Sequence, residues 1–153
     1  MKRILDACCG SRMFWFDKNN SDVVFQDIRD ESHVLCDGRK LTVKPDLKGD
    51  FMDMDFPSES FYLVVFDPPH LKKIGDTSWM AKKYGKLKED WREVIKNGFD
   101  ECMRVLKPNG TLIFKWNERD IPIKEIIKVI GKEPLFGHTT KVGGYTIWMA
   151  FMK

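Results

Sequence analysis

Near the middle of the chain, Asp67-Pro68-Pro69-His70 joins a carboxylate to two ring-locked residues and an imidazole. Each proline fixes φ and lacks an N–H, so the Asp67 side chain and the Pro68 carbonyl become two acceptors held in one stiff turn. Such a pair suits an amine conjugated to a ring. Accepting both amine hydrogens draws the nitrogen toward tetrahedral geometry and frees its lone pair to attack an electrophilic carbon. His70 adds a flat ring beside them. A strand followed by an ordinary proline turn would use the same prolines, and the flanking residues must decide between the two readings.

Those flanks carry more acids at comparable places. "RILDA" is an apolar run that stops at Asp6, "DVVFQD" stops at Asp27, and Asp50 follows the weaker extended stretch "PDLKG". After Asp6 comes "DACCGSR", a tight segment with Gly10 and Ser11 that ends on Arg12. Cys8, Cys9, Cys36 and Cys102 match no paired metal-binding spacing and no disulfide framework. Cys8 and Cys9 read as small buried side chains in a tight loop, no metal site is expected, and the thiols imply a reducing, cytoplasmic setting.

The elements that must position these residues alternate along the chain. "RILDA" and "DVVFQD" predict two buried parallel strands, with one or two helical turns in "RMFWFDKNN" between them. "HVLCDGRKLTV" predicts a hairpin about Asp37-Gly38, and "FYLVVF" the most apolar strand, ending at the double proline. Apolar residues at helical spacing from Lys86 to Leu106 predict a long amphipathic helix closed by "KPNG". "TLIFKW" predicts another strand, Ile121 to Ile130 a helix opened by Pro122, and the tail a hairpin turned near Gly143-Gly144. The whole is an α/β fold on a mainly parallel sheet with a C-terminal antiparallel hairpin and helices on both faces, a single domain over residues 1–153.

In such sheets ligands sit outside the carboxyl ends of the strands. A row of acids there repels itself, whereas a ligand with ribose hydroxyls, an amino purine and a cationic centre uses each of them. S-adenosylmethionine is such a ligand. With these residues placed, the chain resembles the class I S-adenosylmethionine-dependent methyltransferases, and among them those that methylate exocyclic or amide nitrogen. "DACCGSR" is similar to their "DPFxGSG" loop in Asp6, Gly10 and Ser11, and departs from it at Cys8 and at Arg12, which replaces the last glycine. "DPPH" is similar to their [DNS]PP[YFW] motif, with His70 in place of the aromatic residue that stacks on a flipped base. The resemblance implies a Rossmann-like class I methyltransferase sheet and S-adenosylmethionine as cofactor. It implies that cofactor binds along Asp6, Ala7, Cys8, Cys9, Gly10, Ser11 and Arg12, with Arg12 able to reach the methionine carboxylate. Asp27 would meet the ribose, with Ile28 beside it in the cofactor site, and Asp50 the adenine amine and Phe51 its ring, with Met52 alongside. Catalysis falls to Asp67, Pro68, Pro69 and His70.

The net charge of +3 is too small to imply nucleic acid from the total. Its distribution is more telling: Lys72, Lys73, Lys82, Lys83, Lys86 and Lys88 crowd one segment with Trp79 and Tyr84, which unites phosphate neutralisation with base stacking. The expected substrate contacts are therefore Lys72, Lys73, Trp79, Lys82, Lys83, Tyr84 and, from "FKWNE", Lys115. The expected acceptor is an exocyclic base amine of DNA or RNA. Lys115 also supports ribose 2'-O methylation as an alternative, a protein or small-molecule amine remains open, and the altered loop leaves room for a catalytically inactive cofactor-binding subunit. No membrane contact is expected, because no apolar run is long enough to span one. With no space for a separate recognition domain, a protein partner or a homo-oligomer could supply target recognition.

Overall fold

The computed structural model describes residues 1–138 and 145–153. Five parallel strands form most of one sheet: β1 (Ile4–Asp6), β2 (Val23–Asp27), β5 (Leu47–Lys48), β6 (Phe61–Phe66) and β7 (Leu106–Asn117). At the far edge β9 (Thr146–Met152) runs antiparallel to β7 and pairs with the short β8 (Phe136–Gly137). The order β5-β2-β1-β6-β7-β9-β8 means that the chain builds outward from β1, then returns to its other side. The reversal lies between β1 and β6, where an open α/β sheet has its crevice. Between β2 and β5 stands a separate hairpin of β3 (Glu31–Val34) and β4 (Lys40–Val43). Its turn uses Gly38 at φ 80°, as the Asp-Gly pair predicts. The tail strands pair as expected, and the turn predicted at Gly143-Gly144 lies outside the described residues.

Helices α1 (Trp79–Tyr84), α2 (Trp91–Val105) and α3 (Ile123–Ile130) complete the architecture. The predicted long helix starts at Trp91 instead of Lys86, because the Leu87 amide pairs with the Leu71 carbonyl at 2.9 Å and holds 86–88 extended. Ile95, Phe99 and Cys102 of α2 and Ile126 and Ile130 of α3 join Leu5, Val64, Phe66, Leu112, Phe114 and Phe151 in one core. Strand alternation puts these strand residues on the same side, so α2 and α3 share one face of the sheet.

On the opposite face a loop stands where one or two helical turns are expected. Residues 8–19 lie over that face as turns, with Cys9 and Trp15 packed on Val23, Phe25 and Ile4. Helical turns fail here because Arg12 takes a left-handed φ of 56° and the side chains of Asp17 and Asn20 cap local turns at the amides of Asn19 and Asp22. Among the described residues no helix is long and apolar enough to cross a membrane.

Candidate functional site

Asp6 ends β1 with its carboxylate wholly buried. The Trp15 indole Nε1 donates to Oδ2 at 2.7 Å, and the Cys8 amide reaches Oδ1 at 3.4 Å. Burial pushes the carboxyl up to about 7, the Asp67 and Asp27 charges push the same way, and the two donors oppose them. Since this lies above the ordinary 3.8, the native state holds the proton more tightly than the unfolded chain does. The stabilisation is complete below about pH 4 and fades as pH rises toward 7. Asp6→Asn keeps an acceptor for Trp15 and cannot ionise, so its thermal melts should vary less over that window than those of the wild type. A wild-type midpoint that stays level there would exclude Asp6 as the titrating group.

Beyond Asp6 the loop is tied to both neighbouring strands. The amide of Ala7 donates to the Val65 carbonyl at 3.0 Å, and that of Cys9 to the Gln26 carbonyl at 2.8 Å. Gly10, at φ 51°, turns its amide onto Asp27 Oδ2 at 2.8 Å. Arg12 occupies the second left-handed position, which explains why a glycine suits that place in the resembled loop. The expectation that Arg12 reaches a methionine carboxylate is corrected by its geometry. Its guanidinium lies 3.9 Å from the Phe25 ring centroid, donates to the carbonyls of Lys18 and Lys44, and pairs with Asp46 Oδ1 at 3.0 Å. It fastens the loop to the segment before β5 and faces away from the carboxyl-end cleft.

Asp27 is nearly buried, and Arg29 donates to its Oδ1 through the backbone amide at 2.9 Å and Nε at 3.1 Å. The same arginine reaches the Lys82 carbonyl at 2.8 Å, joining the acid after β2 to helix α1. Ile28 beside it is exposed. Asp50 turns back on the Met52 amide at 2.8 Å, and the Phe51 ring packs edge-on to Phe66 at 5.2 Å over Gly98. Phe51 thus faces the core, and the 50–52 turn stands apart from the cleft.

Asp67 follows β6, and Lys115 of β7 brings its Nζ to Oδ2 at 2.9 Å. Burial raises the Asp67 carboxyl, while the lysine holds it down. His70 is buried, its ring 5.5 Å from Tyr84 and 6.1 Å from Trp116. Burial lowers the imidazole's affinity for a proton, against the pull of Asp67, so the ring is neutral near pH 7. Cys8, Cys9, Gly10, Ser11, Asp67, Pro68 and His70 line one cleft together with Phe14, Arg29, Lys83, Tyr84 and Lys115. On its other side Asp67, His70, Tyr84 and Lys115 also wall a second cavity with Met80, Asn117 and Arg119.

The lysine-rich segment divides in two. Lys83 and Tyr84 enter the cleft, with Lys83 Nζ 5.1 Å from the Tyr84 ring and 5.7 Å from that of the half-exposed Trp79. Lys82 contributes its carbonyl to Arg29. Lys72 and Lys73 instead donate their amides to Asp120 Oδ2 at 2.7 and 2.9 Å and line a separate groove with Lys86 and Lys88. Sequence reasoning missed Arg29, Met80, Asn117 and Arg119. For Asn117 a signal existed, since it follows Lys115 at the two-residue period of the strand that carries both.

No protein-family model matches the chain, and comparison with curated proteins finds no match. Among solved structures, the PH0226 protein of Pyrococcus horikoshii superposes with a TM-score of 0.63 at 15% identity, over 98% of this chain and 81% of that one. A Leishmania major protein described as a SAM-dependent methyltransferase superposes with a TM-score of 0.55 at 16% identity, over 99% of this chain and 64% of its own length. The likeness at these identities is one of fold.

Proposed function

We propose that the protein transfers a methyl group from S-adenosylmethionine to an amine nitrogen, an exocyclic base amine of DNA or RNA. The observation that carries this reading is the position of Asp67, which stands between a cleft against the Gly10 loop and a second cavity beyond it. The residues present fit the cofactor. Gly10 bares its backbone at the sheet's switch point, where a side chain would meet only Arg29, at 3.7 Å. Asp27 and the exposed Ile28 lie at the end of the adjoining strand. The Leishmania major neighbour is described as SAM-dependent.

Bound there, the cofactor would supply an electrophilic methyl on sulfonium, with the thioether as its leaving group. Asp67 accepts one hydrogen of the incoming amine through the oxygen not held by Lys115, the Pro68 carbonyl accepts the other, and the nitrogen lone pair is freed for attack. The proton displaced from nitrogen passes to Asp67, whose burial raises its affinity for it, and then to solvent. Lys83, Trp79 and Tyr84 supply charge and rings for a nucleic acid, whose recognition a protein partner or second copy would complete.

Ribose 2'-O methylation is favoured by one observation, the Lys115–Asp67 pair at 2.9 Å, since a lysine and a carboxylate at the reacting atom can take a hydroxyl proton. The deciding experiment incubates the protein with radiolabelled S-adenosylmethionine and separate pools of single-stranded DNA, duplex DNA, RNA and cell protein, then identifies the methylated product. Label on a base amine is expected; label only on ribose oxygen or only in protein overturns the reading. Cofactor binding in calorimetry with no label in any pool would favour an inactive cofactor-binding subunit.

Two further outcomes are expected. Asp27→Ala should weaken cofactor binding by roughly 1–3 kcal/mol in calorimetry, and unchanged affinity would remove Asp27 from the site. Nucleic-acid binding should weaken steeply with salt, and neutralising Lys82 and Lys83 together should flatten that dependence in a titration.

A further inference from the structure

Resting on the cofactor reading above, we infer that Arg29 is a positioning residue through which bound cofactor orders α1, so that the wall receiving the acceptor is set once the donor is in place. The guanidinium joins two elements that lie 53 positions apart in the chain. Its Nε donates to Asp27 Oδ1 at 3.1 Å and its Nη1 to the Lys82 carbonyl at 2.8 Å. The group is planar and rigid, so anchoring Nε on the buried carboxylate also fixes the direction of Nη1. An ammonium on a flexible stem has no such fork.

Helix α1 depends on outside support. It is six residues long, none of them buried, and a helix this short is marginal without tertiary contacts. The Ser78 hydroxyl accepts from the Ala81 amide at its start, and the Gly85 amide donates to the Ala81 carbonyl at its end. Both bonds stay within the segment. Among the described residues, the one from Arg29 is the only hydrogen bond that reaches α1 from outside residues 71–88. Packing of Tyr84 against the His70 ring, 5.5 Å between centroids, steadies only the last turn.

The other end of Arg29 meets the cofactor loop. It lines the cleft with Gly10 and Ser11, and its Nη2 lies 3.7 Å from the place where a side chain on Gly10 would stand. A ligand on that loop therefore packs against the guanidinium. Asp27 carries three of the roughly four hydrogen bonds a carboxylate accepts, two on Oδ1 from Arg29 and one on Oδ2 from Gly10. The remaining place on Oδ2 suits one ribose hydroxyl, so ribose and Arg29 share the acid instead of competing for it. A ligand that immobilises Arg29 lowers the entropy cost of holding α1, and with it Lys83 and Tyr84, at the cleft. By linkage, whatever binds α1 tightens the cofactor by the same factor.

The test is hydrogen exchange of segment 79–85 with and without S-adenosylhomocysteine, the cofactor product that has lost its methyl group. In the wild type the product should slow exchange there by about fivefold or more, the lower end of typical coupling between sites. Arg29→Lys keeps the positive charge and loses the fork, and Arg29→Met keeps the length and loses both. In each, at product concentrations that calorimetry shows to be saturating, the slowing should vanish while exchange in α2 stays as in the wild type. If α2 loses protection in Arg29→Met, the lysine variant decides. The affinity of a single-stranded oligonucleotide should likewise tighten by a similar factor when product is added to the wild type, and in neither variant. Product binding to the wild type without slower exchange in 79–85, or wild-type slowing in either variant, overturns the inference and leaves the cofactor reading standing. No product binding overturns both. Slowing without any oligonucleotide binding upholds the role of Arg29 and removes nucleic acid as the acceptor.

Discussion

Asp67→Ala is expected to lower kcat by about 10²–10³-fold, the loss typical of removing one group aimed at the charge that develops in a transition state. Cofactor affinity should stay near that of the wild type, because the Gly10 loop is tied to Val65, Gln26 and Asp27, and none of its bonds uses Asp67. Calorimetry therefore separates a lost catalytic acceptor from a lost fold. Lys115→Met provides the contrast. If Lys115 only pairs with Asp67 and reads the acceptor, its replacement raises KM while part of kcat survives. If Lys115 is the base for a hydroxyl, its loss alone stops the reaction. Wild-type turnover by the Asp67 variant would end the amine mechanism.

The second large effect is expected on stability. Arg12→Ala should destabilise the protein by about 2–4 kcal/mol in denaturant melts, since it removes a stacked and multiply bonded side chain that is only 15% exposed. Arg12→Gly should cost less than Arg12→Ala by about 1 kcal/mol, because only glycine holds a left-handed φ without penalty. The reverse order would mean that backbone strain at this position is negligible. Either replacement loosens the loop that carries Gly10 and Ser11, so cofactor binding should weaken along with stability.

Much of this was legible because it is local. The acids that close β1 and β2, the Asp-Gly hairpin and the apolar face of α2, though not its first residue, are each set by periodicity or turn chemistry within a few residues. The double proline marks the end of β6 in the same way. What could not be read depends on distant partners. Lys115 lies 48 positions from Asp67, and the pair meets only because β6 and β7 are adjacent and parallel. Arg12 looks like a ligand contact in the loop motif, and its true acceptors at Lys44 and Asp46 belong to a segment placed by tertiary structure. Phe51 was misplaced for a similar reason: Gly98 leaves a gap in α2 that its ring fills, and a glycine inside a helix does not announce what will occupy the space.

The order of strands also governs how the molecule assembles. Ile4 of the three-residue β1 pairs with Val23 on one side and with Leu63 on the other. So short a strand gains little until both neighbours are present, and the second arrives only after the intervening chain has closed a long loop, which slows the search. The loop that follows β1 has its amides shared between those same two neighbours, at Gln26 and Val65. Cofactor affinity and global folding should therefore emerge in one kinetic phase in refolding experiments, with ligand binding following the rate at which β6 docks.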